Sequence, residues 1–396
     1  MHSPLSPEIC RKISDSISRQ RLLETAIALI EIPSPTLSAG EVADRLASIL
    51  RQDGFNVERP IADWPQAPAV VVRLESGKAG RTLQFDGHLD TVHLPFVPPR
   101  VEAGVLYGSG ASDMKGGVAA FVEALRSLRE SGCLPGGSVL LTAHDHHEGP
   151  WGDRRQVNAL IRDGIMGDAV LMPEYLAESL PLAGRGMAIF EINISREGEP
   201  VHEVLRPENL PDVVAAGTEV VKRLIQYHAR IETIEAPYVG HDSAFVGMIQ
   251  AGEIYNQAPT TCIVKGTRRW VTPGSVERVC GEIDAILTDV AAQTHTSIER
   301  VYTVQGDAYT IDEDDPLVAA VQSAHTVVTG APLPPGAKPF VDDGHAYATL
   351  GGIPAISHGP AATGAHTLNE AVPVDELVRV AQVYALTAIA YCGQAI

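Results

Sequence analysis

Two short runs constrain this chain most. Ser138-Val139-Leu140-Leu141-Thr142-Ala143 and Asp168-Ala169-Val170-Leu171-Met172 are apolar at consecutive positions rather than alternate ones. A strand of that kind has no solvent face, so it belongs in a sheet covered by helices on both sides. Val70-Val71-Val72-Arg73-Leu74 and Thr82-Leu83-Gln84-Phe85 read as further strands. Helical periodicity alternates with them. Residues 7–30 carry Ile9, Ile13, Ile17, Leu22, Leu23, Ile27 and Ile30 at apolar positions, and residues 39–53 carry Val42, Leu46, Ile49 and Leu50. Met114–Glu130 carries Val118, Phe121, Val122, Leu125 and Leu128 on one face. Proline at Ile32-Pro33-Ser34-Pro35 stops the first of these helices, and Gly54 suits a left-handed cap on the second. Strands alternating with helices predict an α/β layer structure.

The style changes near residue 183. Met187–Ser195 alternates, with Phe190, Ile192 and Ile194 against Ile189, Glu191 and Asn193, as a half-exposed strand does. A helix over 209–228, strands near 247–255 and 260–270, a helix over 276–291 behind Ser275, and a strand over 297–304 complete a βαββαβ order. After Gly306 the first style returns, with a helix opening at Asp315-Pro316, strand-like Pro354–Ser357 and a helix over 374–391. The expected organisation is a catalytic domain in two parts, residues 1–182 and 306–396, interrupted by an inserted α+β domain over 183–305.

Composition narrows the class of partner. A net charge of −19 argues against nucleic acid or an anionic membrane surface, since both call for basic patches. Five scattered cysteines (Cys10, Cys133, Cys262, Cys280, Cys392) suggest reduced thiols. With a polar, mixed-charge start over residues 1–20 and no long apolar run, the expectation is a cytoplasmic protein.

Five residues that bind divalent cations follow the predicted strands. His88 lies in Gly87-His88-Leu89-Asp90-Thr91, Asp113 in Gly110-Ala111-Ser112-Asp113-Met114-Lys115-Gly116-Gly117, and Glu148 in His146-His147-Glu148-Gly149. Glu174 follows an apolar run, and His366 lies in Gly364-Ala365-His366. Strand ends give the rigid backbone that a metal centre with an open water position needs. Asp90, two residues beyond His88, points to the same side of an extended chain and can accept the other ring N–H. A carboxylate at the start of a helix, as at Asp113, can present its two oxygens to two ions.

His88-Leu89-Asp90-Thr91-Val92, Ser112-Asp113-Met114-Lys115-Gly116-Gly117 and Ala365-His366 resemble the co-catalytic metallohydrolase family. That family includes acetylornithine deacetylase, succinyl-diaminopimelate desuccinylase, aminoacylase and carboxypeptidase G. Leu29–Pro35, Gly352-Ile353-Pro354 and His358-Gly359-Pro360 are similar too, so the resemblance runs along nearly the whole chain. It implies a mixed-sheet, phosphorylase/hydrolase-like catalytic domain with an inserted lid that often dimerises. It also implies one or two transition ions (zinc, manganese or cobalt) and a small carboxylate-bearing substrate. Carried over, Asp113 bridges two ions, His88 and Glu174 lie on either side, Glu148 and His366 complete the ligands, and Asp90 supports His88. His202, in Gly198-Glu199-Pro200-Val201-His202, matches a lid histidine that stabilises an oxyanion in the partner subunit's site. Arg268 and Arg269 fall where lid residues approach a substrate carboxylate; pairing on the protein's own surface is the alternative.

One departure stands out. The family has two adjacent glutamates, a general base followed by a ligand, and this chain has His147-Glu148. His147 as base, His147 as metal ligand, and Glu148 as base at a single-ion site all remain open readings. The expected activity is hydrolysis of a C–N bond in an N-acyl amino acid or dipeptide. Hydrolytic deamination of an aminoaromatic acid, as in the related 5-nitroanthranilate aminohydrolase, is the alternative. A metal-binding relative without turnover is the second.

Overall fold

A computed structural model describes residues 5–394 as two compact units. The first comprises the chain through Leu182, Ile311–Ala337, and Asp342 onward. Its centre is a six-stranded mixed sheet in the order Val57–Glu58, Val70–Glu75, Ser138–His144, Thr82–His88, Ala169–Met172, Ala355–Ser357. Thr82–His88 runs parallel to both its neighbours, whereas Val70–Glu75 is antiparallel to Ser138–His144. Alternate residues of the apolar runs serve separate cores. Val70, Val72, Leu83, Phe85, Val139, Leu141, Ala169 and Leu171 join one cluster with the helices Lys115–Ser131 and Val374–Cys392. Val71 and Leu140, and Val170 and Met172, pack on the other face around the helix Arg155–Arg162 and Tyr347. Consecutive apolar residues are needed because neither face meets water.

The amphipathic stretch expected as one helix over 7–30 is two, Pro7–Ser16 and Arg19–Ile30. Ser18 makes the break. Its hydroxyl accepts from Arg21 N, capping the second helix, and its own N–H donates to buried Glu123 at 2.7 Å. The glycine pair behind Asp113 permits close packing rather than anion binding. A Cβ on Gly116 would stand 2.4 Å from the Ala111 carbonyl oxygen, and one on Gly117 2.6 Å from Pro173.

The second unit comprises Ala183–Thr310 with Lys338–Val341. Its four-stranded antiparallel sheet has the order Ser243–Ala251, Thr261–Trp270, Gly186–Ser195, Ser297–Gly306. The helices Val213–Ile231 and Val276–Thr294 cover one face, closing over Phe190, Ile192, Ile194, Cys262 and Val264. The βαββαβ order matches the sequence reading. Among the described residues no helix is long and apolar enough to cross a membrane.

Candidate metal centre

Seven of the residues singled out from sequence lie in the first unit, and the fold gathers them. His88 ends the central strand Thr82–His88; its Nδ1 lies 2.9 Å from the Asp90 carbonyl oxygen. A carbonyl only accepts, so Nδ1 carries a proton, and Nε2 is the nitrogen turned toward the acids. That Nε2 is 3.2 Å from Asp113 Oδ1. The other Asp113 oxygen is 3.3 Å from His366 Nε2, which is also 3.1 Å from Glu148 Oε2. His147 and His88 stack nearly parallel, 3.9 Å between ring centres and 8° between planes. His147 Nε2 faces Glu174 Oε1 at 3.8 Å.

Asp90 acts differently from the expectation. Its carboxylate is 3.6 Å from His88 Nδ1, and the backbone carbonyl holds that nitrogen instead. The carboxylate accepts from the peptide N–H groups of Glu148, at 2.9 Å, and His147, at 3.2 Å. It ties the loop after His88 to the loop that carries His147 and Glu148.

Two supporting acids have no conspicuous motif. Glu370 accepts from Gly110 N, Ser112 N, Ser112 Oγ and Asp113 N, all between 3.0 and 3.2 Å, and so fixes the turn that presents Asp113. Its one sequence signal is its place four residues beyond His366. Asp343 lies 2.7 Å from His147 Nδ1 and 3.3 Å from Arg154 Nε. Burial would raise its pKa, but His147, His144 and Arg154 hold it well below the usual carboxylate range.

The electrostatics call for cations. Burial would lower the His88 pKa, yet the Asp113 and Asp90 carboxylates push it well above the ordinary histidine value. Hydrogen bonds to Asp113 and Glu148 push His366 up to about 10. Burial, then the Asp113 charge, drive Glu174 well above the carboxylate range, and its Oε1 is buried without a hydrogen-bond partner. Imidazoles and carboxylates in this proportion suit a transition dication, which would satisfy the orphaned oxygen and neutralise the acids. Two overlapping groups, His88–Asp113–Glu148 and His88–His147–Glu174, each keep their ligand atoms within 4.8 Å of one another.

Behind His147, buried His144 lies with Nε2 3.3 Å from Asp86 and 3.6 Å from Asp343. Burial would lower its pKa, but the two carboxylates raise it to about 9. A folded-state pKa raised above the unfolded ~6.5 stabilises fully below that pH, and the gain is lost as pH rises through about 9. The melting-temperature gap between wild type and His144→Gln should therefore be widest near pH ~6 and shrink toward pH ~10. A gap independent of pH would contradict this.

The remaining three candidates belong to the inserted unit. His202 is exposed, its Nε2 3.2 Å from Asn256 Nδ2. Arg268 corrects the sequence expectation that it meets substrate. It is 1 % exposed, Nη2 is 2.6 Å from Asp242, Nε is 2.9 Å from the Tyr227 hydroxyl, and Nη1 donates to the Arg269 carbonyl. Arg269 is half-buried, and burial with the nearby Arg185 charge lowers its pKa.

A sheet-borne cluster of this kind defines a metal-dependent hydrolase. The chain matches Peptidase family M20/M25/M40 over residues 85–390, and it belongs to that family. It is 29% identical over 386 residues to succinyl-diaminopimelate desuccinylase of Alkalilimnicola ehrlichii, covering 91% of this chain and 96% of that one. The same enzyme of Methylobacterium radiotolerans is 25% identical over 392 residues, covering 93% and 96%. Among solved structures, Bacillus cereus aminopeptidase PepT superposes with a TM-score of 0.79 at 19% identity, over 95% of this chain and 99% of that one. A Bacillus subtilis dinuclear metal-binding peptidase gives 0.69 at 16%, over 94% and 97%. At these identities the structural likenesses establish the fold.

Proposed function

We propose that the protein hydrolyses an amide C–N bond in a small carboxylate-bearing substrate of the N-acyl amino acid or dipeptide type. The observation that carries this is the convergence of buried His88, Asp113 and Glu148 with exposed His366, beside buried Glu174 and its orphaned carboxylate oxygen. The desuccinylase relatives support an N-succinyl amino acid as the first substrate to try. One or two zinc, manganese or cobalt ions, when bound, supply a water of lowered pKa and a Lewis acid for developing negative charge. Asp113 turns one oxygen toward His88 and the other toward His366, which suits a bridging ligand. Glu148 within the cluster and His147 beside it are the groups that can take the water's proton and return it to the leaving nitrogen. Arg269, with Arg185 nearby, is the cation for the substrate carboxylate.

A homodimer through the inserted unit belongs to the same reading, with His202 stabilising the oxyanion in the partner subunit's site. The edge strand Ser243–Ala251 and the helix beside it expose Phe245, Ile249 and Ile225, an apolar strip suited to pairing with a second copy.

The test is turnover after loading with Zn, Mn or Co, across N-succinyl and N-acyl amino acids, dipeptides and aminoaromatic acids. The expected products are a free amine and a free carboxylate. Ammonia with a hydroxyarene would replace this reading by hydrolytic deamination, and bound metal without turnover on any substrate would leave a binding protein.

A further inference from the structure

We infer that His147 is itself a metal ligand, completing a site with His88 and Glu174, and that Asp343 is the positioning residue that aims it. The inference rests on the metal-dependent reading above and decides what occupies the place where the family has a glutamate.

Asp343 Oδ2 lies 2.7 Å from His147 Nδ1, so the carboxylate engages that ring nitrogen. Nε2 is the ring nitrogen left to face the cluster. It faces Glu174 Oε1 at 3.8 Å, too far for a hydrogen bond, and that buried oxygen has no hydrogen-bond partner. Two polar atoms that face each other out of water without a hydrogen bond are costly unless a cation stands between them. Two atoms each about 2.1 Å from one ion stand about 3.4 Å apart at the tetrahedral angle, and at most about 4.2 Å apart. The observed separation lies inside that range.

His88 repeats the arrangement. Its Nδ1 is held by the Asp90 carbonyl oxygen as that of His147 is held by Asp343, and the two rings stack almost in parallel. Each imidazole therefore has its Nδ1 supported and turns Nε2 to the same cluster, where His88, His147 and Glu174 bring their ligand atoms within 4.8 Å. A carboxylate behind a ligating imidazole fixes tautomer and orientation and raises basicity. Arg154 and His144 hold Asp343 in turn, at 3.3 and 3.6 Å. With His147 engaged on the ion, proton transfer falls to Glu148.

Counting imidazoles on one ion tests this directly. Without His147, an ion pair bridged by Asp113 has one imidazole on each side, His88 or His366. With it, one ion has two. Pulsed EPR of the full-length wild-type protein holding less than one equivalent of Mn(II) should show nitrogen combination lines, which require two nitrogens coupled to the same ion. His147→Gln should abolish those lines. Mn(II) titration should show affinity lowered about 10–100-fold in Asp343→Asn and at least as much in His147→Gln. Wild-type affinity and unchanged nitrogen couplings in His147→Gln, with turnover lost, would overturn the assignment and make His147 a proton-transfer residue. Should either variant misfold, the absence of combination lines in the wild type overturns it alone. If the wild type takes up none of Mn, Zn or Co, the hydrolase reading itself fails, an outcome distinct from the others.

Discussion

Asp113→Ala is expected to abolish turnover, lowering the rate by more than the ~10²–10³-fold typical of losing one electrostatic donor. Asp113 is the one carboxylate in the cluster that meets both flanking imidazoles, at 3.2 Å from His88 and 3.3 Å from His366. Its removal takes a ligand from both sides at once. The loss should show without any substrate. A ligand that binds only the native state stabilises it by about 2.7 kcal/mol at a concentration 100-fold above its Kd. Zinc, manganese or cobalt should therefore raise the melting temperature of the wild type and leave Asp113→Ala unmoved at the same concentration. Asp113→Asn, which keeps the shape and removes the charge, should behave like the alanine variant. A metal-induced rise that survives both substitutions would place the ion elsewhere.

The clustering of these side chains was legible because each follows a strand the chain announces with consecutive apolar residues or a glycine-rich turn. His88 ends Thr82–His88, and Glu148 lies just past Ser138–His144. What lay outside reach depends on contacts across long stretches of chain. Asp343 is 196 residues from the histidine it supports, and Glu370 is 257 residues from Asp113, whose peptide N–H it accepts. Neither stands in a pattern whose spacing alone implies a partner. Asp90 shows a subtler limit. Its position two residues past His88 correctly put it beside that histidine, but the residue's carbonyl, not its carboxylate, took the ring proton. The break at Ser18 was hidden because apolar periodicity continues through Ile17 on both sides of a capping residue.

Arg268→Ala is expected to destabilise the inserted unit by about 3–5 kcal/mol, the cost of leaving one member of a buried ion pair alone. Strand parity explains why. Along Thr261–Trp270, Cys262, Val264, Arg268 and Trp270 are buried in phase, whereas Arg269 falls on the alternate, half-buried side. The same alternation in the sequence, counted from Cys262 and Val264, would have separated the two arginines. Arg268 thus enters the helix-covered interior, where Asp242 meets it at 2.6 Å and Tyr227 at 2.9 Å. Asp242, fully buried, also accepts from Val271 N at 2.8 Å, so it cannot swing out to water when the guanidinium is removed. Arg268→Lys should recover only part of the loss, since an ammonium cannot span Asp242, Tyr227 and the Arg269 carbonyl as a planar guanidinium does. Denaturant unfolding of the full chain reads this as a lowered midpoint for the transition that includes the inserted unit. Arg269→Ala should leave that midpoint nearly unchanged and raise KM for a carboxylate-bearing substrate. The opposite pattern, with Arg268→Ala stable and defective in substrate affinity, would return Arg268 to the substrate-binding role suggested by its place in the sequence.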